Sequence, residues 1–198
     1  MLSRISFGGI ALVVIISFLE MPALAAPVQW SIGAGGNDHW YEVIPTSLSW
    51  DDANAAAASM SLAGTPGHLA TTTSAAENAF IFSLNPGDAW LGAFQPSGSP
   101  EPAGNWQWVT GEPFAYTNWK SGEPNNNYGG LFGNLPNGSP EEAMHFHQGS
   151  QWNDIPRDPA IMTPAYVVEF TVPEPSSLAL TTLTVLGLLG HRRLGFIG

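Results

Sequence analysis

The sequence predicts an α+β domain, because two helical segments come early, several short strands follow, and one long loop interrupts the strands. The helical segments are the alanine-rich Trp50–Met60 and Ser74–Ser83. The later part of the chain consists of short apolar pieces between stretches rich in Gly, Pro and Asn. The loop Gly111–Pro140 is longer than an ordinary connection in a compact domain, and loops of that length are usually functional.

The first elements follow from local signals. Aromatic and β-branched residues predict a strand at His39–Ile44. Ser49 is the expected cap of the first helix, whose first turn carries Asp51 and Asp52, where the helix dipole favours acidic side chains. The stretch Gly64–Gly67 then ends this helix.

The remaining elements alternate with loop material. His68–Ala70 is predicted to be extended, and Ser74 begins the second helix with Glu77 at capping-box spacing. Beyond Pro86, four apolar pieces are predicted strands: Ala89–Ala93, Trp106–Thr110, Ala143–His147 and Ala165–Thr171.

The chain is acidic and lacks cysteine. It has 16 acidic and 5 basic residues and a formal net charge of −11, and between the two ends only Lys120 and Arg157 are basic. Such a surface repels phosphate backbones, so nucleic acid is excluded as a partner. The excess of acidic residues either attracts cations or simply keeps an exported protein soluble. Without cysteine there is no thiol catalysis and no zinc–thiolate site.

Residues 1–25 are predicted to be a secretory signal peptide. Arg4 precedes an apolar run from Ile5 to Leu19, and Ala23-Leu24-Ala25 supplies the small-x-small cleavage pattern. The alternative is an N-terminal membrane anchor, although the run is short for a span of about 20 residues.

The opposite end, residues 172–198, combines Val172-Pro173-Glu174-Pro175 with an apolar run, Ser176–Gly190, and the basic His191-Arg192-Arg193. This arrangement resembles the bacterial PEP-CTERM sorting signal. The resemblance implies transient anchoring in the inner membrane, cleavage by an exosortase-type protease, and a final place outside the cell or at its surface. A permanent C-terminal anchor is the alternative.

Two polar triplets, Glu123-Pro124-Asn125 and Trp152-Asn153-Asp154, stand on either side of the acidic pair Glu141-Glu142. Their carboxylate and amide oxygens are the hard donors that Ca²⁺ prefers. Each amide also keeps NH₂ donors after its oxygen has bound a metal. Such a group can hold a calcium ion and two sugar hydroxyls without any catalysis.

The order of these motifs from Gly36 to Phe170 resembles the C-type lectin-like domain, which we place at residues 36–171. The resemblance rests on the strand–helix–helix opening and on the following pieces: Gly67-His68-Leu69-Ala70, Trp90-Leu91-Gly92-Ala93, Trp106, Trp108, Thr117-Asn118-Trp119, the two triplets and Tyr166–Phe170.

The resemblance implies one primary Ca²⁺ site and a cis peptide bond at Pro124. The site would use side-chain oxygens of Glu123, Asn125, Glu141, Asn153 and Asp154, together with the Asp154 carbonyl. Two positions of an eightfold shell remain for neighbouring sugar hydroxyls. The Glu-Pro-Asn triplet resembles that of lectins for mannose, glucose, N-acetylglucosamine or fucose, whereas galactose-type relatives carry Gln-Pro-Asp.

The chain departs from the family pattern in two respects. Ala143 and Val168 stand where cysteines are expected, so packing must replace disulfide bonds. An auxiliary calcium site is expected to be absent or weak, because Asn126 follows the first triplet and Glu101 is the one upstream acid available.

Other side chains remain open to two interpretations. Tyr128, Leu131 and Phe132 either stack on a sugar or, as we expect, pack the loop against the domain. His145 and His147 share one face of a predicted strand at a spacing that can bind transition metals. With no third ligand nearby in the sequence, they are interpreted as core or rim histidines.

No enzyme activity is expected. The chain has neither a Gly-x-Ser-x-Gly nor a His-Glu-x-x-His motif. Glu141 and Glu142 are adjacent and would point to opposite faces, unlike the facing acids of a glycosidase. The tryptophans at 90, 106, 108 and 119 are expected in the core.

The predicted function is calcium-dependent binding of neutral glycans or exopolysaccharide, and the alternative is a non-carbohydrate adhesion module of the same fold.

Overall fold

The computed structural model of this chain describes residues 26–84, 87–129, 139–158, 161 and 163–173. The predictions for the signal peptide and for the tail beyond Pro173 lie outside the described residues, as do those for Leu131 and Phe132.

Both helices form where the sequence predicts them. Helix α1 covers Trp50–Ser59, and α2 covers Ala75–Leu84. The Ser49 Oγ atom accepts the N–H group of Asp52 at 3.2 Å, which is the predicted cap. Ser74 accepts the N–H group of Glu77 in the same way, at 3.2 Å.

The capping box of α2 differs in its second half. Glu77 Oε2 accepts the N–H group of Thr73 at 2.6 Å, one residue before the expected partner. The reason is that Glu77 is buried, and its Oε1 atom accepts the Tyr41 hydroxyl at 2.7 Å. The residue therefore serves the core as well as the helix start.

The described residues form ten strands: β1 (Val28–Gln29), β2 (Trp40–Ile44), β3 (Ser61–Leu62), β4 (Thr65–Pro66), β5 (His68–Leu69), β6 (Ala89–Phe94), β7 (Gln107–Trp108), β8 (Ala143–Phe146), β9 (Trp152–Ile155) and β10 (Tyr166–Phe170). The strands β1, β3 and β4 have two residues each, too few to show an alternation pattern, and the sequence does not predict them.

The main sheet has the order β1-β2-β10-β6-β8-β9, with β5 paired to β10 and β7 paired to β6. The pair β6–β10 is parallel and the other pairs are antiparallel. Strands β3 and β4 form a separate two-stranded sheet. This mixture of two helices with short, mainly antiparallel strands confirms the predicted α+β class.

Successive residues of the central strands enter two different core clusters, because side chains alternate across a strand. In β10, Val167 packs in the cluster that contains Ile81 of α2. Its neighbours Tyr166 and Val168 pack in the cluster that contains Trp50 of α1. Each helix therefore covers its own half of the core.

The expected cysteine positions are filled by aliphatic side chains. Ala143 and Val168 are both fully buried in the cluster beside α1. Packing therefore occupies the places where the resemblance leads one to expect disulfide sulfurs.

A buried polar network ties three distant segments together around Glu169, which is almost completely buried. Its Oε1 atom lies 2.5 Å from His39 Nδ1, and its Oε2 atom accepts the Thr71 N–H group at 2.9 Å. The pKa of His39 is raised above its usual value, mainly by this hydrogen bond to Glu169. The buried carboxylate of Glu169 therefore favours the protonated form of this ring.

Candidate functional site

The pairing of β8 with β9 sets one side of the site. In this antiparallel pair His145 lies opposite Asn153, and Ala143 lies opposite Ile155. Glu141 precedes β8 by two residues, so it stands near the carboxyl end of β9. The acidic residue between the triplets is thus brought to the second triplet by strand register alone.

The first triplet reaches the same place because the segment before it lies along β9. The N–H group of Lys120 donates to the Trp152 carbonyl at 2.9 Å, and the N–H group of Trp152 donates to the Asn118 carbonyl at 2.9 Å. Trp119 and Trp152 form a parallel bridge. The chain then turns where the Glu123 N–H group donates to the Lys120 carbonyl at 2.8 Å.

Asp154 lies beneath the loop and joins the two triplets. Its side chain is fully buried. The N–H group of Asn125 donates to its Oδ2 atom at 3.0 Å, and the N–H group of Asn126 donates to the same atom at 2.9 Å. Backbone groups of the loop therefore fix the position of this carboxylate.

Glu141 is held by the following residues of the loop. Its Oε2 atom accepts the N–H group of Asn127 at 2.7 Å. Asn126 returns a bond in the other direction, since its Oδ1 atom accepts the Glu141 N–H group at 2.9 Å. Asn126 also adopts a φ of 49°, which turns the loop at this point. The sequence marks Asn126 only as a departure from the family pattern, whereas the structure makes it a bridge between the Asp154 carboxylate and the backbone of Glu141.

The two site amides have different neighbours. The Asn125 Oδ1 atom accepts the N–H group of Asn127 at 2.6 Å. The Asn153 Nδ2 group donates to the Asp154 carbonyl at 2.6 Å and lies 3.3 Å from His145 Nε2. The Asn153 amide thus sits between the Asp154 carbonyl and a buried imidazole ring.

The carboxylates destabilise one another electrostatically. Burial raises the pKa of Glu123 to about 7, with further contributions from its hydrogen bond to Asp154 and from the Asp154 charge. Burial raises the pKa of Glu141 to about 8, and the charge of Asp154 adds to this shift. A cation placed among these groups would favour their ionised forms.

The donor set fits a calcium ion. It consists of carboxylate, amide and carbonyl oxygens, without nitrogen or sulfur ligands. Among the residues that the structure describes, the buried Glu123 Oε2 atom has no hydrogen-bond partner. A buried carboxylate oxygen without a donor is costly, and an ion at that point would compensate it.

Four of the five predicted site residues, Glu123, Asn125, Glu141 and Asn153, line one cavity of about 420 Å³. The fifth, Asp154, lies below it and bonds to the loop backbone. The structure therefore brings the predicted residues together.

The interpretation that His145 and His147 lack a third ligand is wrong. Asp88 lies beside them, and one ligand atom from each of the three residues is within 4.8 Å of the others. Asp88 comes directly before β6, and the pairing of β6 with β8 carries it to the histidines. No sequence spacing could reveal this group, because Asp88 is far away along the chain.

Other expectations about these side chains are met. His145 and Tyr128 are both buried, and Tyr128 packs in the cluster beside α1. Burial lowers the pKa of His145 to about 4, so the ring is neutral at pH 7. The predicted core tryptophans all lie in or against the two clusters: Trp90, Trp106, Trp108 and Trp119.

Glu142 takes no part in the cavity that holds Glu141. It lines a separate depression with Asp51 and Arg157. The two adjacent acids thus face different surfaces, as predicted for neighbours on an extended chain.

The Glu123–Pro124 bond is cis, which confirms the expectation for Pro124. The absence or weakness of an auxiliary calcium site near Glu101 stays a prediction.

Within the described residues, no helix has both the length and the apolar character needed to cross a membrane.

Sequence comparison identifies the family. The sequence model of the Lectin C-type domain matches residues 46–155, more than half of the chain. Halomucin of Haloquadratum walsbyi is 32% identical over 137 residues, which make up 67% of this chain and 1% of halomucin. The chain thus spans a very small part of this relative.

Comparison of structures gives the same fold. The cow C-type carbohydrate-recognition domain of CD23, determined in the presence of a GlcNAc2Man3 oligosaccharide, has a TM-score of 0.55 at 20% identity, covering 70% of this chain and 92% of that domain. A calcium-independent type II antifreeze protein has a TM-score of 0.53 at 23% identity, covering 74% and 95%. At these identities the likeness shows the fold alone.

Proposed function

Because the chain belongs to the C-type lectin domain family, we propose that it binds neutral glycans through one calcium ion. The proposed ligands are the five residues gathered around the cavity: Glu123, Asn125, Glu141, Asn153 and Asp154. The calcium ion would supply open coordination positions for two neighbouring hydroxyls of a sugar. No chemical step is involved, so the protein acts by binding and not as an enzyme.

One observation carries this proposal: three carboxyl groups stand close together with too little positive charge among them. The pKa values of Glu123 and Glu141 are raised to about 7 and about 8, and a Glu123 oxygen is buried without a partner. Lys120 is the one cation that lowers the pKa of Glu123, and its effect ranks below those of burial and Asp154. A divalent ion would offset this repulsion, so its binding is favoured.

The same residues can recognise a sugar. Once ionised, Glu123 and Glu141 can accept hydrogen bonds from sugar hydroxyls, while the amides of Asn125 and Asn153 can donate hydrogen bonds to the hydroxyl oxygens. The cavity of about 420 Å³ falls in the size range of small-molecule sites. The Glu-Pro-Asn triplet supports the mannose, glucose or fucose type of ligand rather than galactose.

Affinity chromatography tests this function. The full chain is loaded on mannose and galactose resins in Ca²⁺ and eluted with a chelator. We expect retention on mannose and release on chelation. Passage through both resins in Ca²⁺ would contradict the proposal.

A second function is a non-carbohydrate adhesion module of the same fold, with structural calcium or none. The same fold occurs in a calcium-independent type II antifreeze protein, so the fold does not require a glycan ligand or calcium. If neither resin retains the chain while Ca²⁺ still raises its thermal midpoint, a structural role for the ion is favoured.

We propose that the protein acts outside the cell, at the surface or in the exopolysaccharide. Residues 1–25 motivate export, and residues 172–198 motivate transient anchoring and release by an exosortase-type protease. Mass spectrometry of the chain recovered from the producing cells and their medium tests this. A mature chain that lacks both terminal segments is expected, and a chain with both segments intact would contradict it.

A further inference from the structure

Beside the proposed calcium site lies a second group of ligand atoms with a different chemistry. Asp88, His145 and His147 line the same cavity, and their ligand atoms lie within 4.8 Å of one another. Two imidazoles and one carboxylate are ligands for first-row transition metals rather than for calcium. Both groups of residues therefore share one opening.

One ring nitrogen of each histidine is not used by other parts of the protein. Among the described residues, the buried Nδ1 atoms of His145 and His147 have no hydrogen-bond partner. The His145 side chain is 4% exposed, so this unpaired nitrogen is a genuine cost to the fold. His147 Nδ1 lies 3.4 Å from Asp88 Oδ2, which directs both toward the same point.

Neighbouring groups hold two of the three ligands in position. The N–H group of Gln148 donates to the Asp88 Oδ1 atom at 2.9 Å, which leaves Oδ2 facing His147. The Asn153 amide lies 3.3 Å from His145 Nε2.

The other group of this kind, His39 with Glu77 and Glu169, makes a useful contrast. Its ring nitrogen is bonded to Glu169 at 2.5 Å, and Glu77 bonds to Tyr41 and Thr73. These atoms already satisfy one another, and the hydrogen bond to Glu169 raises the pKa of His39. That group is accounted for as an internal network, whereas the group at Asp88 has unused lone pairs.

We propose that Asp88, His145 and His147 bind a transition-metal ion of the Zn²⁺ type, next to the glycan site. Three protein ligands leave one of four tetrahedral positions open toward the cavity. The side chains of Asp88 and His147 are partly exposed, which gives the ion a path of entry. This inference does not depend on the proposed glycan function, since it uses none of the five residues assigned to calcium as a ligand.

The test is a Zn²⁺ titration by calorimetry of the full chain, prepared without a histidine tag, with Co²⁺ absorption as a second readout of ligand geometry. The variants Asp88→Asn and His147→Gln change partly exposed side chains, and His68→Gln is the matched control on β5. Thermal melting in chelator verifies that each variant folds.

We expect the wild-type chain to bind one Zn²⁺ ion that both site variants bind at least about tenfold more weakly. The control variant should bind it as the wild type does. Absence of Zn²⁺ binding, or equal binding by the wild type and both site variants, would overturn the proposal. Because neither sugar nor Ca²⁺ enters this readout, a failure of glycan binding leaves it unaffected.

Discussion

The buried Asp154 carboxylate accepts the backbone N–H group of Asn125 at 3.0 Å, across 29 residues of sequence. This bond fixes the two polar triplets against each other. It also places the Asp154 charge where it raises the pKa values of Glu123 and Glu141. The geometry that brings the carboxylates together thus creates a repulsion between them that a bound cation would relieve.

Replacing Glu141 by Gln should remove most of the calcium effect. The variant loses one carboxylate ligand, so Ca²⁺ affinity should fall at least about tenfold and the calcium-induced rise in thermal midpoint should shrink. Differential scanning calorimetry with and without Ca²⁺ measures this rise in thermal midpoint. Glu142→Gln is the matched control, because Glu142 lines a separate depression. Equal behaviour of the two variants would contradict the assignment.

Calcium binding should release protons near pH 7. Glu123 and Glu141 have pKa values of about 7 and about 8 in the ion-free chain, and the ion requires their ionised forms. Affinity should therefore rise as the pH increases from about 6 to about 8. Calorimetric titrations in buffers with different ionisation enthalpies count the protons. An affinity independent of pH across this range would show that the two groups are not ligands.

The double substitution Glu123→Gln with Asn125→Asp should shift the sugar preference from mannose toward galactose. It exchanges the positions of the donor and acceptor groups around the proposed ion while keeping one negative charge and one amide. Elution from the two resins by free sugars measures the preference. Unchanged preference, with calcium binding retained, would show that these side chains do not contact the sugar.

Asn78→Ala should destabilise the fold beneath the site. The Asn78 Oδ1 atom accepts the indole N–H group of Trp152 at 2.7 Å in the buried core. Without this acceptor, the free energy of unfolding should fall by about 1–3 kcal/mol. Chemical denaturation measures the change. Asn54→Ala in α1 is the control and should stay within about 0.5 kcal/mol of wild type. A loss in both variants of the same size would contradict the role of the bond.

Stability should also depend on pH through His39. Its pKa is raised in the folded chain by Glu169, so the folded form holds this proton more tightly than the unfolded form. The stabilisation is therefore complete below the ordinary histidine pKa of about 6.5 and is lost as the pH rises through the raised value. Melting curves of wild type and His39→Gln in chelator test this. The variant should lack that part of the pH dependence, and identical pH profiles would contradict it.

The helices and the longer strands are predictable because their signals are local. Ser49 and Ser74 cap the helices, and the aromatic and β-branched run Tyr166–Phe170 marks β10, whose five residues are all buried. The very short β1, β3 and β4 carry no such pattern, whereas the equally short β5 and β7 fall inside longer predicted pieces, His68–Ala70 and Trp106–Thr110. Their pairing depends on neighbours that are distant in the sequence.

The candidate site was partly visible in the sequence for a similar reason. The residue types of both triplets indicate oxygen ligands, and resemblance supplies their grouping. Asn126 and Asp88 could not be recognised, because each gains its role from a tertiary contact. Asn126 links Asp154 to Glu141 across the loop, and Asp88 meets His147 through the β6–β8 pairing.

Titration of methyl α-mannoside into the full chain at saturating Ca²⁺ tests the central claim most directly. We predict saturable binding at one site that disappears in chelator and in the Glu141→Gln variant. Binding that persists in chelator would contradict the account. So would the absence of binding by mannose, glucose and fucose alike while the chain is loaded with Ca²⁺.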